Sequence, residues 1–349
     1  MPDRDAAWPW VRARLAAMRG AVARQNDARQ NDARQDAARR DGAGTRPDAV
    51  VRTAVVTDSA AALPPEWVSA LTGDGVLTVI PMPVMVGEEI YGEGEDDISE
   101  TIALALASGT AVKTSRPSPG QFEQAYRAAR QKGFEAVVSV HISGDLSGTA
   151  DAARLAAARV DIPVEVVDSR TVGMALGMAV QAAVGAAADG GGAAAVAAAA
   201  AGQAGRTKVY FYVPSLEQLR RGGRIGAAAS LLGTMLAIKP ILAVDGGRIV
   251  PLEKVRSAAR AVARLEEIVA ADAAGRPASA VHLAVHHFGN PDQAKDLAAR
   301  LALALPGCPP AQTSSLPAVL AAHAGLGVLA VIVGEELTET GTASAGLST

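Results

Sequence analysis

From residue 51 onward one pattern recurs: a short apolar run, a polar or glycine turn, then an alanine-rich stretch with helical spacing. TAVVT (53–57) meets the turn DSAAALPPEW. EAVVSVHI (135–142) meets a Ser/Gly turn before an alanine-rich helix over 149–159, and VEVVD (164–168) precedes a long Ala/Gly helix from about 172. Such strands are too continuously apolar to leave one face in water, and helix crossovers between parallel strands are what cover both faces of a sheet. The pattern predicts an α/β fold whose first domain is a parallel sheet flanked by helices.

VLTVIPMPVMV (76–86) reads as a further extended run and ISETIALALA (98–107) as helix. Ser118-Pro119-Gly120-Gln121 combines an N-cap residue, Pro at the first helical position and Gln at the capping-box position, with Phe122 and Tyr126 following on one face. KVYFYV (208–213) opens a second set of strands, and IKPILAV-DGG-RIVPLEKV reads as a hairpin with an Asp-Gly turn. A helix over 257–272, the strand SAVHLAVHH (279–287), a helix opened by Asn290-Pro291 and the strand VLAVIVG (328–334) complete a mixed α/β second domain. The length accommodates two domains, placed at 51–175 and 176–337, with a flexible tail over 338–349. Aromatics are 3% of residues, so the cores must be built from Ala, Val, Leu and Ile.

Residues 1–50 hold ten Arg and seven Asp but no Lys or Glu, and the pentad QNDAR occurs twice in a row. So little can be buried there that the segment reads as a disordered, low-complexity extension. Trp8, Val11, Leu15, Met18 and Val22 form one helical stripe within it, which leaves a transient membrane-surface contact open. A net charge of −3 offers no basic footprint for nucleic acid. One cysteine, Cys308, excludes a disulfide framework and a cysteine-rich zinc site and suits a cytoplasmic location; no metal or cofactor is expected.

Three strand ends of the first domain share one chemistry: Thr57-Asp58-Ser59, Thr114-Ser115 ahead of Arg116-Pro117-Ser118, and Ser143 with Ser147-Gly148-Thr149. In an open α/β sheet the ligand crevice lies at the carboxyl ends of the strands, where helix N-termini offer unpaired N–H groups to an anion. The same residues also serve as helix caps, so both readings stand. Nucleophilic catalysis by Ser147 or Ser143 with His323 is the alternative. GDLSG, however, places two residues between its first glycine and the serine, where a nucleophile elbow has one. His141, His282, His286 and His287 lie in apolar runs and read as satisfied structural histidines. His323 sits in AAHAGLG (321–327), read as a turn where the ring can face a cleft. In LEQLRRGGRIG (216–226), Arg220, Arg221 and Arg224 offer forked donors for a carboxylate or phosphate, or simply cap a helix. No phosphate-binding loop of the G-x-x-x-x-G-K-[ST] type occurs.

Taken in order, VVTDSAAALP, KTSRPSPGQF, VHISGDLSGTADAA, VVDSRTVGMALG, LEQLRRGGRIG, LLGTMLAIKPIL with DGGRIVPLEKVR, and AAHAGLGVLAV span 51–334. They resemble the DegV family of bacterial fatty-acid-binding proteins. The resemblance implies a two-domain protein that holds one long-chain fatty acid between its domains and presents it to a separate fatty acid kinase catalytic subunit. On that basis the carrier does no chemistry alone, and needs no cofactor. The resemblance also implies carboxylate contacts from Thr114, Ser115, Ser143, Ser147 and His323, and puts Arg224 and Arg221 toward the kinase or the phosphate. A tail tunnel would draw on apolar stretches such as 228–242, with Leu231, Leu232, Met235 and Leu236. One departure is visible: family members commonly carry two adjacent serines where this chain has Ser143-Gly144, followed by Asp145.

Overall fold

The computed structural model describes residues 52–335, apart from 74, 93–97 and 232–237. The stripe from Trp8 to Val22, the rest of the extension, the tail 338–349, the tunnel candidates Leu232, Met235 and Leu236 and the side chain of Leu231 lie outside the described residues. The chain divides into two compact units. One takes residues up to Val84, Ile90–Asp96 and Thr114–Ala204; the other takes Met85–Glu89, Asp97–Lys113 and Gly205 onward.

In the first unit, β1 (Thr53–Asp58) leads through a 3-10 turn into α1 (Pro65–Thr72) and β2 (Leu77–Ile80). The apolar run 76–86 continues as a separate strand, β3 (Pro83–Val86), because Pro81 and Pro83 have no N–H to give a ladder. With β4 (Glu89–Gly92) and β5 (Val112–Thr114), β3 forms a small sheet of order β4-β3-β5, whose residues are divided between the two units. Then follow α3 (Pro119–Gln131), β6 (Ala136–His141), α4 (Thr149–Ala157), β7 (Val164–Asp168), α5 (Met174–Ala188) and α6 (Ala193–Arg206). The α3 N-terminus carries the full capping box between Ser118 and Gln121, and Phe122, Tyr126 and Ala129 face inward.

The main sheet of this unit has the order β2-β1-β6-β7, parallel throughout. Every residue of β1 and of β6 is buried, as their unbroken apolar runs require. The chain builds outward from β1 on one side and from β6 on the other, so the switch point of the sheet lies between these two strands. α5 is buried nearly all round and packs on β1 and β6. That packing is why residues 176–204, assigned to the second domain from composition, belong to the first unit. The glycines at 190–192 separate two helices: Gly190 takes φ +86° and ends α5, and α6 resumes at Ala193.

The second unit contains α2 (Ser99–Ser108), β8 (Lys208–Tyr212), α7 (Glu217–Arg221), β9 (Lys239–Asp245), β10 (Arg248–Val255) and α8 (Ala258–Ala274). β11 (Val281–His287), α9 (Pro291–Ala304), β12 (Gln312–Ser315), α10 (Ala318–Ala324) and β13 (Leu329–Glu335) complete it. Its sheet has the order β10-β9-β8-β13-β11-β12, antiparallel except where β11 pairs with β12. The β9–β10 hairpin turns at Gly246 (φ +55°) and Gly247 (φ +90°), the left-handed pair that the DGG sequence predicts. Leu265 and Val269 of α8 and Leu297 and Leu301 of α9 close its core with Leu283, Val285 and Val331. Among the described residues no helix is long and apolar enough to cross a membrane.

Candidate functional site

The carboxyl ends of β1 and β6, at the switch point, are joined by one side chain. Asp58 ends β1 with no solvent exposure. Its Oδ1 accepts the N–H of Ala60 at 3.1 Å, capping the 3-10 turn. Its Oδ2 accepts the N–H of Ile142 at 3.1 Å and faces His141 Nδ1 at 2.9 Å. His141 Nε2 lies 2.7 Å from Ser139 Oγ, which accepts a hydrogen bond from the Tyr126 hydroxyl at 2.8 Å. One proton arrangement satisfies every member: Tyr126 donates to Ser139, Ser139 to Nε2, and Nδ1 to Asp58. All four residues are inaccessible to solvent. Burial pushes the Tyr126 phenol far above its ordinary pKa, against a smaller opposing effect of the Ser139 bond. Phe122 closes the face with its ring edge-on to His141 at 5.1 Å.

This Ser–His–Asp succession has the order of contacts of a hydrolase triad but not its accessibility. Ser139 Oγ is sealed in the core and bonded on both sides, so the chain locks two strand ends together instead of attacking a substrate. His141 is thus the satisfied structural histidine that the sequence predicts, with a partner set directly beneath the candidate site. The hydrogen bond of Ser147 Oγ is with Thr149 Oγ1 at 2.8 Å, which gives the hydrolase reading no support.

Immediately after His141 the chain makes the turn that carries Ser143 and Ser147. Ser143 is buried; its N–H donates to Thr171 O at 3.0 Å and its Oγ accepts from Asp145 N–H at 3.3 Å. Leu146 and Ser147 both return N–H groups to Ser143 O at 3.0 Å, coiling the turn tightly into α4. Gly148 is the N-cap of that helix and supplies no side-chain bond. A Cβ there would come within 2.6 Å of Arg116 Nη1, so the missing side chain lets the arginine lie across the turn. Arg116 follows Thr114 and Ser115 at the end of β5, and Ser115 is held by its N–H to Pro83 O at 3.0 Å. Ser143 and Ser147 therefore share one turn, and Thr114 and Ser115 lie at the end of β5 just ahead of Arg116, whose guanidinium rests on that turn.

The Ser143-Gly144 departure has a structural cause. A Cβ at Gly144 would lie 2.8 Å from Asp168 Oδ2, and Asp168 Oδ1 accepts the N–H groups of Gly144 at 3.1 Å and Arg170 at 2.9 Å. The carboxylate of Asp168, at the end of β7, takes the space that a second serine side chain would need, and it also holds Arg170 at φ +53°. Asp145, the carboxylate that follows this glycine, is exposed.

In the second unit His323 stands in the last turn of α10, not in a loop as its glycine neighbours suggest; Gly325 at φ +84° ends the helix only after it. Its ring rests against the end of α7, where a Cβ on Gly222 would collide with Nδ1. Burial first, and the Arg224 charge second, bring the His323 pKa down to about 4, so the imidazole is neutral at neutral pH. Arg224 donates to Gly222 O at 2.6 Å. Arg220 and Arg221 both bind Glu217, each at 2.7 Å, and hold its carboxyl down at about 2. His323 and Arg224 are thus brought together, while Arg221 is engaged in an ion pair. Among the other histidines, His286 Nδ1 bonds Ser314 Oγ at 2.8 Å. His287, by contrast with its expected satisfied state, keeps a buried Nδ1 without a hydrogen-bond partner.

Sequence reasoning overlooked the chain from Asp58 to Tyr126, the Asp168 carboxylate and the placement of Arg116. The first had a detectable signal: Ser139 and His141 are two apart in a run that is otherwise apolar, so they share one face of a buried strand. The other two depend on contacts between segments distant in sequence and leave no local mark.

The family model described as "Uncharacterised protein, DegV family COG1307" matches residues 52–336. A DegV domain-containing protein of Streptomyces coelicolor is 46% identical over 280 residues, which cover 80% of this chain and 97% of that protein. Among solved structures, a fatty-acid-binding DegV family protein of Thermus thermophilus superposes with a TM-score of 0.74 at 33% identity. The match covers 82% of this chain and all of the other. DegV of Bacillus subtilis, described as a fatty acid binding protein, gives 0.73 at 28% identity with the same coverage. With this agreement between matched sequence, shared fold and the order of the quoted motifs, the chain belongs to the DegV family.

Proposed function

We propose that this protein binds one long-chain fatty acid, with the carboxylate held at the turns that carry Ser143, Ser147, Thr114 and Ser115. The observation that carries the reading is the position of Ser143 and Ser147 in the turn after β6, beside the switch point where open α/β sheets place their ligands, with Arg116, which follows Thr114 and Ser115 at the end of β5, lying across that turn. A carboxylate taken out of water needs several donors at once, and hydroxyls with a neighbouring guanidinium are such a set. Relatives in Thermus thermophilus and Bacillus subtilis described as fatty-acid-binding support the ligand class. His323 is retained as a fifth proposed contact on the resemblance of its AAHAGLG motif; as a neutral imidazole it would donate one N–H to the carboxylate.

On the same resemblance, the bound acid is presented to a separate kinase subunit that forms the acyl phosphate, with Arg221 and Arg224 as partner-facing residues. The carrier itself does no chemistry in this reading. Native mass spectrometry of the purified full chain tests it: a co-purifying ligand of fatty-acid mass is expected, diminished in Ser143→Ala and Thr114→Ala. A protein that stays empty after incubation with stearate, oleate and palmitate ends the reading. The kinase step is tested separately, by the failure of Arg224→Ala to support acyl-phosphate formation with a fatty acid kinase while its ligand content is unchanged.

A further inference from the structure

Gln181 is out of place. It lies in the middle of α5, whose sequence MALGMAVQAAVGAAA is otherwise Ala, Gly, Val, Leu and Met, and it has no solvent exposure. Neither its Oε1 nor its Nε2 has a hydrogen-bond partner. A buried primary amide with both ends unsatisfied forfeits its full hydration, a cost that Leu or Ala at the same place would avoid. The group is therefore accounted for only if something outside the polypeptide satisfies it.

The position of the amide indicates what that is. α5 starts at the end of the sheet that carries the candidate site: Gly173 N–H donates to Ala60 O at 2.9 Å, and Thr171 O accepts from Ser143 N–H at 3.0 Å. It ends at the opposite edge of the strands, where Gly191 O accepts from Thr53 Oγ1 at 3.0 Å. Gln181 is eight residues beyond Gly173, about 12 Å along the axis at ~1.5 Å per residue. An extended alkyl chain advances roughly 1.3 Å per carbon, given single bonds of ~1.5 Å. A tail that starts at the Ser143 turn and follows the helix thus passes Gln181 at about its ninth or tenth carbon. On the same stripe as Gln181, Met178 and Gly185 combine an adaptable thioether with an absent side chain, whereas the space beside Gly177 is taken up by Ala61 O and Met174 Sδ.

We propose that Gln181 is a specificity-determining residue for the acyl chain, and that it selects long-chain fatty acids bearing a hydroxyl near the middle of the tail. This rests on the fatty-acid reading above. A carboxamide presents donors on nitrogen and an acceptor on oxygen. A hydroxyl donates and accepts, so it can answer both ends; a double bond offers only a weak π acceptor and a saturated chain offers nothing.

The test compares stearate, oleate and 10-hydroxystearate binding to delipidated full-length protein, wild type and Gln181→Leu, by calorimetry. The wild type is expected to hold 10-hydroxystearate at least tenfold more tightly than stearate. The variant is expected to lose that margin while its stearate affinity stays within threefold. Equal wild-type affinity for the two acids overturns the proposal, and so does an equal loss for both in the variant, which would mark Gln181 as ordinary packing. Should Gln181→Leu not fold, Gln181→Met carries the same comparison at matched side-chain length. A wild type that binds none of the three acids defeats the fatty-acid reading itself, an outcome separate from stearate binding without hydroxyl preference.

Discussion

Replacing Asp58 with Ala removes the acceptor that joins β1 to β6. Three donors lose their partner at once: the N–H groups of Ala60 and Ile142, each at 3.1 Å, and His141 Nδ1 at 2.9 Å. In the intact fold none of them meets water, because Asp58 and His141 are completely buried. A buried donor left unsatisfied costs about 1–3 kcal/mol, and the low end applies where water enters the space left by the carboxylate. The expected loss is therefore roughly 3–6 kcal/mol, a large fraction of the ~5–15 kcal/mol typical of whole proteins. For a unit of this size that corresponds to a fall of roughly 10–20 °C in the thermal midpoint. Asp58→Asn should lie between, because the amide oxygen can still cap Ala60 while its NH₂ cannot accept from Ile142 and His141. Circular dichroism melts of wild type, Asp58→Ala and Asp58→Asn in parallel give the comparison. A loss under about 1 kcal/mol in the alanine variant, or full recovery by asparagine, would refute the view that this carboxylate holds the strand ends in place.

Gly144→Ser should cost about 1–2 kcal/mol in urea unfolding, because its Cβ would lie 2.8 Å from Asp168 Oδ2 and force that carboxylate off two N–H groups. Asp168→Asn should not relieve it, since the side chain keeps its volume. Gly222→Ala should displace His323, against whose Nδ1 the new methyl would press; fatty-acid affinity is expected to fall by about tenfold with little change in melting temperature. Stability should decline as pH drops from about 6.5 to 4. His286 and His323 both have folded pKa values near 4, below the ordinary 6.5. Above 6.5 both are neutral in either state; below it the unfolded chain takes up protons that the folded chain refuses, on the order of 3 kcal/mol for each group by pH 4. Urea midpoints at pH 7.5 and 4.5 check the sign, and His286→Leu should flatten the slope.

Much of the architecture was legible because it rests on local periodicity. β1, β6 and β7 announce themselves as short apolar runs, the β9–β10 turn as Asp-Gly-Gly, and the start of α3 as a Ser-Pro-Gly-Gln cap; each is a preference written within a few residues. The candidate site was legible in part for the same reason, since hydroxyls at strand ends are a local pattern. The domain boundary was not. Alanine-rich α5 looks alike wherever it packs, and only the burial of its whole circumference, against β1 and β6 among others, settles which unit owns it.

Sequence alone determined the α/β class, the alternation of strand and helix in the first unit, the antiparallel hairpin of the second and, through its ordered motifs, the family. Tertiary structure alone decided the relations between distant positions. It brought Asp58 to His141 across 83 residues, set Asp168 into the space beside Gly144, laid Arg116 over Gly148 and left Gln181 enclosed without a partner. The division has a physical origin. Backbone propensity, capping and hydrophobic period act over one or two turns of chain and are readable in any window of sequence. Hydrogen-bond partners and excluded volume depend on which segments meet, and only the completed fold specifies that.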